Sequence, residues 1–322
     1  MPPPHIVTLG GGTGQYTLLT GLRTLPVTLT AVVTMMDSGG SSGRLCDEYG
    51  LLPPGDFTRC LVALSSHPAA MKELLGHRFA SGSLKGHTIR NLIFTAVQEI
   101  TGDSARTVER LHELFAVAHR VLPVTLDAVE LVVHLENDRV IRGEASIDTL
   151  GEQLDAPVLS VYLDPAATGY RGALDALESA DLVVIGPGDL YTSLVPNLLV
   201  HGVREALARS RARVVYVCNL MTKPNETPQY TVEDFVGTVA MYLGEARLDA
   251  VLYNTSWPAE LSPEYAAAGS EPVRTDPSKA LRPGLLVPGD FLGAGGQGRL
   301  VRHDATKLAR AIDGLGRGWG LW

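Results

Sequence analysis

Apolar residues fall along this chain in two rhythms: short β-branched runs, and longer stretches where they recur every three or four positions. Consecutive apolar runs predict parallel strands buried on both faces, at residues 6–9, 29–35, 182–185, 214–218, 250–253 and 285–287. The helical rhythm predicts helices over 15–25, 56–65, 88–100, 105–118, 194–210, 231–243 and 305–314. Strands alternating with helices in this way predict an α/β fold, a Rossmann-like doubly wound, mostly parallel sheet with helices on both faces. Residues 125–150 break the rhythm. Apolar positions at 129–135 and 139–142 flank Glu136-Asn137-Asp138, which reads as a β-hairpin excursion inserted in a single domain spanning 1–322.

Strand ends carry the candidate chemistry, because open α/β sheets bind ligands at the carboxyl ends of their strands. The first strand runs into Gly10-Gly11-Gly12-Thr13-Gly14 and then a helix. A helix N-terminus offers unpaired N–H groups and a positive dipole end, and glycine lets a phosphate approach it closely. Gln15 breaks the dinucleotide spacing G-x-G-x-x-G, which disfavours an NAD-type ligand.

The second strand ends in Asp37-Ser38-Gly39-Gly40-Ser41-Ser42-Gly43-Arg44, a nest of hydroxyls and N–H groups with one cation. Asp37 is a candidate for a ribose or sugar hydroxyl, or for a metal ion beside phosphates; as a turn residue it would only satisfy local N–H groups. After the 182–185 strand come Gly186-Pro187-Gly188-Asp189-Leu190-Tyr191-Thr192-Ser193, with Thr192 or Ser193 a candidate N-cap for the next helix and that helix start a candidate second anion site. The 214–218 strand ends in Asn219-Leu220-Met221-Thr222. Four small, polar or glycine-rich ends on one sheet edge predict one shared pocket. His87 and Asn91 lie one helical turn apart near a helix start. Asp56 reads as a helix N-cap, Asp304 as another, and Arg302 as a cation free to meet a diphosphate.

Composition narrows the classes. The chain has 322 residues, 45% of them hydrophobic, enough for a large core. Its formal net charge of −8, without a Lys/Arg cluster, argues against nucleic acid. Cys46, Cys60 and Cys218 show no metal-ligand spacing and read as free thiols. No apolar run approaches the roughly 20 residues of a membrane span, and no signal peptide is evident, so a cytoplasmic protein is expected. A homodimer is expected on base rate alone. Neither a nucleophile elbow nor a Walker lysine is present.

Taken together, the segments 10–14, 37–45, 53–64, 86–103, 186–200, 216–230 and 302–304 resemble the gluconeogenesis-factor (YvcK-like) family, relatives of the 2-phospho-L-lactate transferases (CofD-like). The resemblance implies a Rossmann-like sheet with a nucleotide across its strand ends. The transferase branch joins a phospholactyl group from a guanylyl-activated donor to a deazaflavin. The YvcK-like branch is non-enzymatic, binds UDP-sugars such as UDP-N-acetylglucosamine, and influences cell shape, wall synthesis and growth on gluconeogenic carbon. The runs at 39–44 and 186–193 look like that second branch. For this chain it implies phosphates on Gly11, Gly12, Thr13, Gly14, Ser41 and Ser42, a sugar or ribose on Asp37, base or sugar on Asn219 and Thr222, and Arg302 at the diphosphate. Cell-wall or regulatory proteins are the implied partners. Under the transferase alternative, Asp37 helps to hold Mg²⁺ and His87 assists proton transfer. The chain departs from the family where two acids are common and it has Asp37-Ser38, and where Arg90 replaces a glycine. Ala305 also stands where some relatives carry a phosphorylatable threonine.

Overall fold

The computed structural model describes residues 2–148, 154, 156–258, 261–293 and 301–322. The chain opens with β1 (His5–Gly10), α1 (Gly12–Leu22) and β2 (Thr28–Val33), then runs through α2 (Gly40–Tyr49), α3 (Gly55–Leu64), α4 (Ala69–Gly76), α5 (Ile89–Thr101) and α6 (Ser104–Leu114) to β3 (Arg120–Pro123). Next come β4 (Glu130–Leu135), β5 (Val140–Arg142), α7 (Glu144–Asp148) and β6 (Val158–Asp164). The second half holds α8 (Arg171–Glu178), β7 (Leu182–Ile185), α9 (Val195–Leu199), α10 (Val203–Arg209), β8 (Arg213–Val217), α11 (Val232–Leu243), β9 (Ala250–Asn254), α12 (Pro263–Ala268), β10 (Leu286–Gly289) and α13 (Ala305–Gly318).

Seven strands form one parallel sheet in the order β10-β9-β8-β7-β1-β2-β3. From β1 the chain first builds outward through β2 to β3, then returns to β7 and builds the other way. Right-handed crossovers in these two directions put helices on opposite faces. The strand order therefore reverses between β1 and β7, whose registers pair Ile6 with Leu182 and Leu9 with Ile185. Every residue of β7 is buried, as the apolar run at 182–185 requires.

Local signals set several boundaries. Asp304 caps α13 through its bond from the Lys307 N–H at 2.9 Å, as expected. Thr231 and Asp234 form a capping box on α11. Gln15, where a third glycine was absent, is fully buried. Its Nε2 donates to the Val32 carbonyl and to Thr8 Oγ1, both at 3.1 Å, and ties α1 to β1 and β2.

Other elements differ from expectation. The hairpin exists as β4 and β5, but β6 joins them in a three-stranded antiparallel sheet, and its buried residues enter the same core. Residues 149–150 of the expected insertion lie outside the described residues, as do 294–300 of the glycine-rich stretch near the C-terminus. The helix expected over 194–210 breaks into a π-helical turn (Leu190–Leu194), α9 and α10, because the chain turns at Gly202 with φ +94°. The Ser/Gly segment after β2 is not an open nest but the first turn of α2, and α4 and β6 were not anticipated.

Candidate functional site

At the switch between β1 and β7, the two glycine loops press together. A Cβ on Gly14 would sit 2.7 Å from the Pro187 carbonyl carbon and 3.3 Å from the Gly188 nitrogen. Only glycine permits that approach. Gly12 has φ +65°, a second reason for glycine. Gly186 has φ +76° and precedes a cis peptide bond to Pro187. The N-terminus of α1 follows: Gly11 offers no side-chain cap, the buried Asp56 carboxylate takes the Gly12 N–H from behind, and Thr13 and Gly14 line the cleft.

The cleft encloses about 340 Å³. Of the residues expected at the site, Gly11, Gly12, Thr13 and Gly14 line it from β1, and Pro187, Gly188, Asp189 and Ser193 from β7. Asn219, Met221 and Thr222 come from the end of β8, and Arg302 from the segment before α13. Three of the four expected strand ends thus meet in one pocket, and the Asp37–Arg44 end does not line it.

Residues from the second strand end gather beside this cleft instead. Asp37 Oδ2 accepts from Ser42 Oγ at 2.6 Å, and its Oδ1 accepts the Gly39 N–H at 3.0 Å. Ser41 Oγ meets His87 Nδ1 at 3.0 Å and accepts from Asn91 Nδ2 at 3.1 Å. His87 and Asn91 are therefore brought together on one buried hydroxyl; burial lowers the imidazole's pKa. Ser38 Oγ accepts the Ala145 N–H at 3.0 Å. Gly40 starts α2 with φ +48°. Arg44 reaches away from the cleft to the Lys85 carbonyl at 2.7 Å.

Two capping expectations are corrected. Asp56 does not cap α3, whose N-cap is Pro54; it is buried in the first turn, behind Gly11 and beside Asp37. Burial, then the Asp37 charge, pushes its carboxyl up to about 6, with Arg59 at 3.8 Å and the Gly12 N–H opposing. Thr192 and Ser193 cap nothing. Thr192 Oγ1 donates to Glu226 at 2.9 Å, and Glu226 also accepts the Tyr191 N–H at 3.0 Å. A protein carboxylate already occupies that helix start, which removes it as a second anion site.

Sequence reasoning missed Glu226 and its partner Lys223, which bridges Asp189 and Glu226 at 2.7 Å each. Burial and Asp189 raise the Glu226 carboxyl; Lys223 opposes them. It also missed Tyr265, whose hydroxyl accepts the Val301 N–H at 2.8 Å and so fixes the segment bearing Arg302. His303, on the cleft wall, is pushed down to about 4 by burial and is neutral at pH 7. The three cysteines are free, and burial pushes Cys46 and Cys218 up to about 12, so neither is a thiolate at pH 7. Among the described residues, no helix is long and apolar enough to cross a membrane.

A doubly wound parallel sheet with a glycine-lined cleft at its switch point defines the class: a Rossmann-like α/β protein whose first helix starts at the cleft. Residues 6–288 match the family described as "2-phospho-L-lactate transferase CofD". Among characterised sequences, the chain is 39% identical over 315 residues to the gluconeogenesis factor of Halalkalibacterium halodurans, covering 97% of this chain and 96% of that protein. It is 38% identical over 312 residues to the gluconeogenesis factor of Bacillus subtilis, covering 96% and 97%. The crystal structure of an upf0052 family member from Bacillus halodurans superposes with a TM-score of 0.90 at 37% identity, covering 97% of this chain and 99% of that one. The chain belongs to the gluconeogenesis-factor family, within the CofD-like group.

Proposed function

We propose that this protein binds a UDP-sugar of the UDP-N-acetylglucosamine type and acts as a cytoplasmic regulator linking that ligand to gluconeogenic growth, cell shape and wall synthesis. The observation that carries the reading is the meeting of the β1 and β7 glycine loops at the switch point, with Thr13 and Gly14 of the α1 start lining the cleft. In this reading the diphosphate lies over Gly12, Thr13 and Gly14, with Arg302 as its cation. Asn219 and Thr222 line the uridine or the sugar. The ligand acts as a signal read by cell-wall or regulatory partners, and the protein works as a monomer or homodimer. The experiment is a calorimetric titration of Arg302→Ala with UDP-N-acetylglucosamine. Removing a charge-assisted phosphate contact weakens binding by about tenfold or more; unchanged affinity removes Arg302 from the site.

One observation favours a second reading, a phospholactyl-type transferase with a guanine nucleotide donor. Asp56 stands behind Gly11, and the charge of nearby Asp37 raises the cost of ionising it. In this reading the pair completes a Mg²⁺ site only with the nucleotide's own phosphates. Among the described residues no group of three or more His, Cys, Asp or Glu gathers as a metal site. A GDP or GTP titration with and without Mg²⁺, followed by a deazaflavin acceptor assay, separates this reading from the first.

A further inference from the structure

We propose that a cavity walled by α1, α3, α4 and α5 is a second anion site, separate from the switch-point cleft, that takes the phosphoryl group of a small phosphate monoester. The cavity holds about 470 Å³ and lies on the far side of Thr13 from the cleft. Arg59 of α3, Lys72 of α4 and Arg90 of α5 converge on it. Arg90 is only 9% exposed, and its Nε is buried with no hydrogen-bond partner among the described residues. A buried guanidinium N–H without an acceptor is costly, so the arrangement calls for an anion supplied from outside the chain.

Internal counter-charge is scarce. Glu73 is the carboxylate on the cavity wall, and it is exposed at the rim. Asp56, the nearest buried acid, is already engaged by Arg59 and the Gly12 N–H. Arg59 and Arg78 both press on the Arg90 charge, while Asp56 and Tyr16 favour it only weakly. Local cations thus outnumber acids in a protein whose net charge is −8. Phosphate suits this geometry, since a guanidinium binds it through paired N–H donors and an ammonium adds a point charge. The cavity exceeds one phosphate in size, and Tyr16 and Val62 offer an apolar wall for the rest of the ester. Arg59 Nη1 also donates to Thr13 Oγ1 at 3.1 Å, which couples this site to the glycine loop. None of this depends on which nucleotide fills the cleft.

Calorimetry with the full chain tests the site, using inorganic phosphate and phenyl phosphate as probes. The expected result is saturable binding of both probes, with phenyl phosphate tighter. Arg90→Gln weakens it by about tenfold and Lys72→Gln by about threefold, while Arg302→Ala, on the cleft wall and outside this cavity, leaves it intact. Lys72 is partly exposed, so its variant keeps the test decisive if Arg90→Gln fails to fold. Absence of saturable binding to the unmodified protein overturns the proposal. So does binding that survives in both cation variants or disappears in Arg302→Ala, since the anion then sits in the switch-point cleft.

Discussion

Titrating the buried acid behind the glycine cradle perturbs the fold and the cleft together. Asp56 is 8% exposed, and burial with the Asp37 charge moves its carboxyl from 3.8 to about 6. The folded protein therefore holds this proton more tightly than the unfolded chain. Its stabilising contribution is complete below about pH 4, declines as the pH rises towards 6, and is gone above that. Two units at about 1.4 kcal/mol each make the decline about 3 kcal/mol. Asp56→Asn keeps the shape and stays neutral, so it has no such slope. The assay is urea unfolding of both proteins from pH 4 to 8. The difference curve isolates Asp56 and its coupling to neighbouring charges, because groups distant from it titrate alike in both proteins. Stability of the unmodified protein relative to the variant falls by about 3 kcal/mol across pH 4–6 and is level above. A flat difference curve would show that Asp56 titrates as an ordinary surface acid and would refute the reasoning. In the proposed reading the diphosphate lies over the start of α1, so the charge behind Gly11 also lowers ligand affinity through this range.

Three further outcomes follow from named contacts. Gly14→Ala forces the β1 and β7 loops apart, costs about 1–3 kcal/mol and weakens UDP-N-acetylglucosamine binding; a variant with unchanged stability would mean that the loops do not touch. Ser41→Ala strands the Asn91 amide, costing about 1–3 kcal/mol in denaturant unfolding, yet leaves ligand affinity unchanged if the cradle is backbone. Gln15→Leu leaves the Val32 carbonyl without its side-chain donor and lowers the unfolding midpoint, again by about 1–3 kcal/mol, whereas Gln15→Glu is worse because it buries a charge.

The central strands were legible because a parallel strand buried on both faces must be apolar at consecutive positions, as at 182–185. Helix α2 was not, because its glycines and serines are poor helix formers and its place is set by tertiary bonds from Ser41 and Ser42. β6 hid behind an uneven exposure pattern, with Leu159 and Tyr162 turned outward. At the site, the glycine loops announced themselves, since their backbone conformation restricts the residue type. Asp56 followed Pro53-Pro54-Gly55 and carried the local look of a cap, and only the packing of α3 behind Gly11 makes it a buried acid. Glu226 gave no signal, because a single acid in a loop acquires its role from the tertiary contacts to Lys223, Thr192 and the Tyr191 N–H. Arg90 is recognisable afterwards as a charge among the buried positions of α5.

The measurement that bears most directly on the account is a calorimetric titration of the purified protein with UDP-N-acetylglucosamine, followed by a check that the ligand is recovered intact. Low-micromolar binding without turnover is the predicted result. No detectable binding at millimolar ligand would contradict it.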